Sequence, residues 1–418
     1  MLVIKKTSFI YLAIISSFGP YIVPSLGLRF DQLIIYGLFI FLLLSNNLKL
    51  PRSSLSLSIF FLLFALFLSP FFNAINSQYI LSKTLLVAQI ENYFQPIATF
   101  LVFFSLMPSH KDDLDKIMKY GLELILWLLA LNTLLSIYIF LNPETALVNI
   151  FTGTKIIGDW EAFGSLTNAE LNLTTGKFAG IFSQTFIVGF AYSLGLLVWG
   201  FLYKNNEYLD YKKILVLIFI LIGGVMSFSK VFLVIGLPLF LLFMGLKMTL
   251  ILIFTFSSFV LFLTLYNPAL FEFISDYEAM KYVYRLLNGF SGDFFNIYTS
   301  GRFSSDSLIV SGIIEALIAH PFFGYGYGSI ETSDFSIYEV IVLGGYVGLL
   351  SYLLIMLTLT IPIFTLHSLR DKYFYSFFMC LLVISSIAAP ILTANRISIL
   401  IWFIISITFA KISKPLNS

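Results

Sequence analysis

Residues 180–203 read GIFSQTFIVGFAYSLGLLVWGFLY, twenty-four positions without one charged side chain. At about 1.5 Å of rise per residue such a run makes a helix about 36 Å long, enough to cross a hydrocarbon layer of about 30 Å. A surface helix of a soluble domain would carry a charged face opposite its apolar stripe. This stretch has none, and it reads as a membrane span.

The same reading extends in both directions. Before it, apolar runs occupy 7–25, 32–44, 55–72, 91–107 and 120–141; after it they occupy 214–229, 231–246, 248–266, 337–364, 374–389 and 397–410. Together they predict an all-α, polytopic integral membrane protein with about 12 transmembrane helices, folded as a single membrane domain over residues 1–418. The composition agrees: 59% hydrophobic and 11% charged, with a mean hydropathy of +0.95, far from the balance of a soluble domain. The net charge of +2 indicates no partner, because in such a chain the placement of charge matters more than its sum. Cys380 is the sole cysteine, which excludes an intrachain disulfide and a cysteine-based zinc site. The N-terminal MLVIKKTSFIYLAII begins like a signal peptide, but no Ala-x-Ala follows and the next apolar segment comes at once, so a retained first helix is expected.

Lysine and arginine set the orientation. With the N-terminus inside, the short connections on that side hold fifteen of the twenty-four basic residues, Lys5, Lys49, Lys111, Lys212, Lys247, Arg370 and Lys411 among them. The outer side keeps Arg29, Lys83, Lys155, Lys177, Lys230, Lys281, Arg285, Arg302 and Arg396 over much more chain. Both termini are therefore expected in the cytoplasm. Two outer loops, 142–179 and 267–336, are too long for simple connection and are expected to contain short helices and the functional residues. The second carries eight carboxylates against Lys281, Arg285 and Arg302, which disfavours nucleic acid or other polyanions as partners. Its arginines read either as individually placed cations or as partners of neighbouring carboxylates.

The most polar passage lies in that loop, at 299–330, TSGRFSSDSLIVSGIIEALIAHPFFGYGYGSI. Ser304, Ser305 and Asp306 are N-cap candidates for a helix whose stripe is Ile309, Ile313, Ile314, Leu317 and Ile318, with Ser311 and Glu315 on the other face. Pro321 ends it by pushing His320 out of the helical region. Gly324, Gly326 and Gly328 then allow a tight backbone. Two readings stand: amides that approach a phosphate or sugar oxygen, or a re-entry turn with tyrosines at headgroup level.

These residues resemble the Wzy-type O-antigen polymerases and the related O-antigen ligases of bacterial envelopes. The resemblance rests on Gly301-Arg302, then His320-Pro321 and Gly324-Tyr325-Gly326, then Gly345-Tyr346-Val347-Gly348 opening the next helix. Lys177-Phe178-Ala179-Gly180-Ile181-Phe182 and Ser227-Phe228-Ser229-Lys230 are similar to two further family motifs, each with Lys where Arg is usual. The ligases carry a His-Asn pair after the glycine turn; here 332–336 read TSDFS, which favours a polymerase. The Trp common after Gly-Arg is absent.

The resemblance implies a glycosyltransferase of the bacterial cytoplasmic membrane, joining oligosaccharides carried on undecaprenyl diphosphate at the outer face, in company with a flippase and a chain-length regulator. Ligase and lipid-linked-sugar transporter are the alternatives. Breaking a sugar–diphosphate bond develops negative charge on the leaving phosphate, so fixed cations aimed at it lower the barrier. Arg302 is the expected catalytic cation, and Lys177, Lys230, Arg285 and Arg396 are the other binding candidates, with Gly324, Tyr325 and Gly326 as backbone near the sugar. Arg396 stands at the edge of an apolar helix, where a charge is costly and commonly functional, or snorkels to the interface. The acceptor hydroxyl needs a base, for which Glu315, His320, Asp334 and Glu339 are candidates; each also reads as a solvated loop charge or a helix cap. Arg29 and Asp31, at the first outer turn, are expected to pair with each other or to contact the bundle. The outer face carries no Asp-x-Asp, so catalysis without a metal or other cofactor is expected.

Overall fold

The computed structural model describes residues 6–23, 28–51, 53–74, 80–81, 83–108, 110–142, 176–182, 184–204, 210–245, 250, 254, 258, 307–329, 336–394 and 396–413. Arg285, Arg302 and Asp334 lie outside them, as do the cap candidates 304–306, most of both long outer loops and nearly all of the expected span at 248–266.

The chain divides into two compact units, residues 1–128 with 305–418, and residues 129–304. In the first unit α1 (Lys6–Ser16) leads through a two-stranded antiparallel hairpin, β1 (Tyr21–Val23) and β2 (Leu28–Arg29), into α2 (Phe30–Leu44). Then come α3 (Ser54–Leu68), the single turn α4 (Phe71–Ala74), α5 (Lys83–Leu106) and α6 (Lys111–Leu141), within which the unit boundary falls. The second unit continues with α7 (Thr185–Tyr203), α8 (Tyr211–Met226) and a π-helical turn (Val231–Gly236) that runs into α9 (Leu237–Met244). The chain returns to the first unit with α10 (Leu308–Ala319), α11 (Ser336–Thr360), the short α12 (Pro362–Thr365), α13 (Leu369–Ala388) and α14 (Ile397–Ile412).

Each unit is built around one helix that is apolar on every side. In α14 every residue from Ile397 to Ala410 is buried, and in α7 every residue from Ile187 to Phe201. A helix without a polar face belongs in a core. Around them the lipid-facing side is equally plain: Leu44, Phe61, Leu131, Leu242, Leu357 and Phe364 are exposed. Among the described residues four segments are long and apolar enough to cross a membrane, Ser54–Asn73, Lys111–Leu141, Thr185–Tyr203 and Ser336–Thr365. This is the build of a polytopic helical membrane protein.

Capping follows simple chemistry. Ser53, Ser307 and Ser368 accept the amides of Ser56, Ile309 and Asp371 at 3.2, 3.2 and 3.3 Å. At α2 the cap works in reverse: Gln32 Oε1 accepts the Arg29 amide at 2.8 Å, which fixes the chain where the hairpin meets the helix. The α5 helix begins eight residues before the apolar run predicts, at Lys83, because its polar first turns find partners that hydropathy does not register: Gln89 and Glu91 both hydrogen-bond to other segments.

Candidate functional site

One end of the first unit gathers an unusual set of buried charges. Arg29 Nε donates to Asp31 Oδ1 at 3.0 Å, and Arg29 Nη2 approaches Glu91 Oε1 at 3.4 Å. Gln95 Nε2 donates to the other Asp31 oxygen at 3.1 Å, and the Tyr36 hydroxyl donates to Glu91 Oε1 at 3.2 Å. Arg29 is 3% exposed and Asp31 0%. Burial works against the Arg29 charge, but Asp31 and Glu91 outweigh it and hold the guanidinium above its ordinary range. Both sequence readings of Arg29 and Asp31 hold: they pair with each other, and they tie the first turn to the bundle through α5.

Arg396 belongs to the same set. Its guanidinium carbon lies 5.2 Å from the centre of the Tyr21 ring, and β1 pairs Tyr21 with Arg29. The residue is 4% exposed, and burial pushes its pKa down, with Tyr21 and Asp31 opposing that effect and Arg29 adding to it. Its backbone stands at φ 64° and ψ −57°, immediately before α14. A side chain in that region is strained by about 1–3 kcal/mol, and such strain collects at functional positions.

The glycine turn is attached to the same helix that carries Glu91. The Gly328 amide donates to Gln89 Oε1 at 2.6 Å. Residues two apart on a helix do not face each other, so the turn and the arginine set flank α5 on different sides. What the turn does with its amides favours the second of its two sequence readings, a turn between helices. Gly324 N donates to His320 O at 3.0 Å, Tyr325 N to Val342 O at 2.8 Å and Gly326 N to Leu343 O at 3.0 Å. In return, Tyr346 N and Val347 N donate to Pro321 O and Phe322 O at 2.8 and 3.1 Å. The cause is a break in α11 at Gly345, where φ 59° and ψ −151° interrupt the ladder and release carbonyls on one side and amides on the other. The turn satisfies both sets. Its amides are therefore committed inside the fold rather than presented to a phosphate, and Gly345, at the kink within 336–360, opens the second of the two helical segments there.

The remaining candidates are placed as follows. His320 caps α10 and sets its ring 5.1 Å from that of Tyr325, edge to face. The α10 cap is Ser307, one residue after the three candidates. Glu315 is exposed on α10, while Ile314 and Ile318, two members of the expected stripe, are exposed as well, at 53% and 78%. The stripe is thus shared between α11 and the surroundings. Glu339 is buried in the first turn of α11.

In the second unit Lys177 and Lys230 are brought to one end. The Phe178 amide donates to Met226 O at 3.0 Å, four residues before Lys230, which precedes the π-helical turn. Lys177 is half-buried, and burial lowers its pKa. The turn after it is held by Asn132, whose Oδ1 accepts Ile181 N at 2.8 Å and whose Nδ2 donates to Tyr192 OH at 3.0 Å.

Sequence reasoning missed Glu91, Gln95 and Asn132. Each is a polar residue in a helix that otherwise reads as apolar, and an ionisable or amide side chain there is itself the signal. No protein-family model matches the chain, and no curated protein matches it.

Proposed function

We propose that this protein is a membrane glycosyltransferase of the polysaccharide polymerase kind, which joins lipid-diphosphate-linked oligosaccharides at the outer face of a bacterial cytoplasmic membrane. The observation that carries the reading is the buried set of Arg29, Asp31, Glu91 and Arg396 at the end that charge counting assigns to the outside. Transfer of a sugar from a diphosphate needs a fixed cation for the leaving group, and a dry site makes that cation stronger. Arg396 suits this role, since its backbone is strained into place and Tyr21 backs its guanidinium. Arg29, neutralised by Asp31, supports it.

Arg302, as catalytic cation, with Arg285, Lys177 and Lys230 as diphosphate-binding cations, completes the set of basic residues proposed for the reaction. Tyr325 and the side of the glycine turn carry the sugar. About 12 spans, cytoplasmic termini, a metal-independent reaction, and a flippase and chain-length regulator as partners complete the proposal. The His-Asn pair of the ligases has no counterpart at 332–336, which supports polymerase over ligase.

The broken helix α11 favours a second reading, a transporter of the same lipid-linked sugars, because discontinuous helices are characteristic of such proteins. Here the released backbone groups are closed by the 320–326 turn, which supports the enzyme. Purified protein given lipid-linked oligosaccharide in detergent is expected to make longer products, and Arg302→Ala to abolish them in cells while single-unit product persists. Failure to extend, combined with transbilayer movement of the lipid in vesicles, would overturn the enzyme in favour of the transporter.

A further inference from the structure

Glu91 is the member of the buried charge set that reaches the surface of the protein. Its side chain is 16% exposed, against 4% for Arg29 and 0% for Asp31. Both of its hydrogen bonds fall on one oxygen: Oε1 accepts from Arg29 Nη2 at 3.4 Å and from the Tyr36 hydroxyl at 3.2 Å. Among the described residues Oε2 accepts none, and it is not a buried atom. A carboxylate anchored through one oxygen and open at the other is fixed in direction, yet able to take a proton from a group arriving from outside.

Asp31, at 3.0 Å, is the nearer carboxylate to Arg29 and Glu91, at 3.4 Å, the farther, and a carboxylate placed in a membrane helix costs up to about 3 kcal/mol. The groups facing Glu91 are Arg29 and Asp31 at the start of α2 and Tyr36 within it, with Arg396 and Tyr21 beyond Arg29. A negative rim repels a phosphate and attracts a hydroxyl, so an acceptor sugar suits the Glu91 side and a diphosphate the Arg396 side.

We infer that Glu91 is the catalytic base of the transfer proposed above, receiving the proton of the acceptor sugar hydroxyl on Oε2; the inference rests on that reading. The acceptor oxygen bonds to the anomeric carbon of the donor. The bond from that carbon to the phosphate oxygen breaks, and its electron pair departs with the lipid diphosphate beside Arg396. The hydroxyl proton ends on Glu91.

The test uses the full chain in detergent, with lipid-linked oligosaccharide as donor and acceptor. Wild type extends the oligosaccharide, and Glu91→Gln, which keeps the shape and an accepting oxygen, loses roughly a hundredfold or more in rate while still binding the donor. Glu91→Ala regains part of its activity on addition of formate, which a purely structural role would not allow. Where the Gln variant fails to fold, Glu91→Asp carries the test, and it retains transfer because the carboxylate remains. A Gln variant within about threefold of wild type would overturn the role of Glu91. So would an Asp variant without activity combined with no formate rescue of the Ala variant. A wild-type protein that extends nothing would instead overturn the glycosyltransferase reading itself.

Discussion

Asn132, in the second half of α6, accepts the backbone amide of Ile181 through Oδ1 at 2.8 Å. The same side chain donates to Ala179 O at 3.4 Å and to Tyr192 OH at 3.0 Å, and the Tyr192 hydroxyl lies 2.9 Å from that of Thr133. Gly180 between them stands at φ 60°, and a Cβ there would meet Asn132 Oδ1 at 2.1 Å. All these groups are buried, so removing one leaves its partners without hydrogen bonds. Asn132→Ala is expected to destabilise the protein by about 2–3 kcal/mol and Tyr192→Phe by about 1–2 kcal/mol. The double variant should cost less than the sum, because the two share a bond. Thermal unfolding in detergent measures all three; strict additivity would show that the network is not a unit.

The stitch between the glycine turn and α11 makes two glycines irreplaceable for different atoms. A Cβ on Gly324 would meet Val342 O at 2.4 Å, and one on Gly345 would meet Pro321 O at 2.6 Å and Gly324 N at 2.7 Å. These neighbours are backbone atoms and cannot rotate away. Both residues also have positive φ. Gly324→Ala and Gly345→Ala are each expected to cost about 3 kcal/mol or more, combining overpacking with strain. Gly37, in the middle of α2, has nothing within 4 Å of its would-be Cβ. Gly37→Ala should therefore be neutral or stabilising by up to about 1 kcal/mol. Equal losses at the three positions would refute the account.

Much of the architecture is legible in the sequence because lipid imposes it. Residues 180–203 read as a span, and α7 forms within them, buried from Ile187 to Phe201. Arg29 and Asp31 were legible as a pair because they are two residues apart. Glu91 was not, since its partner Arg29 lies 62 residues away and no local period records such a contact. The polar head of α5 failed the hydropathy pattern for the same reason. The glycine run announced a turn, yet the carbonyls it satisfies become available only because Gly345 breaks an apolar run that looks continuous. Long-range polar pairing is where pattern reading ends.

Lys177 gives a pH dependence with a definite sign. Burial lowers its pKa in the folded state, whereas in the unfolded chain it titrates near about 10.4. Between those two values the unfolded state binds more protons, so stability rises with pH through that window. At lower pH both states are charged and the burial penalty is present in full. Lys177→Met removes the titration. The variant is expected to unfold at a higher temperature than wild type at pH 7, with the gap narrowing as the pH approaches about 10. A gap independent of pH would show that the lysine is not desolvated in the fold.

Arg396 places stability and function in opposition. Its φ of 64° and ψ of −57° are comfortable only for glycine, and its guanidinium is buried over Tyr21. Arg396→Gly removes the backbone strain, about 1–3 kcal/mol, together with the cost of holding a desolvated charge. It also removes the cation–π contact, about 2 kcal/mol or more for a desolvated pair, and leaves a cavity under Tyr21. These terms largely offset one another in stability, while sugar transfer is expected to be lost. Arg396→Ala, with the same cavity but without relief of φ, should melt lower than the glycine variant by several degrees. The comparison isolates the backbone term, because the two variants differ by one methyl group. Thermal unfolding of the pair beside the extension assay decides it: an alanine variant as stable as the glycine variant would show that the backbone at 396 is not strained.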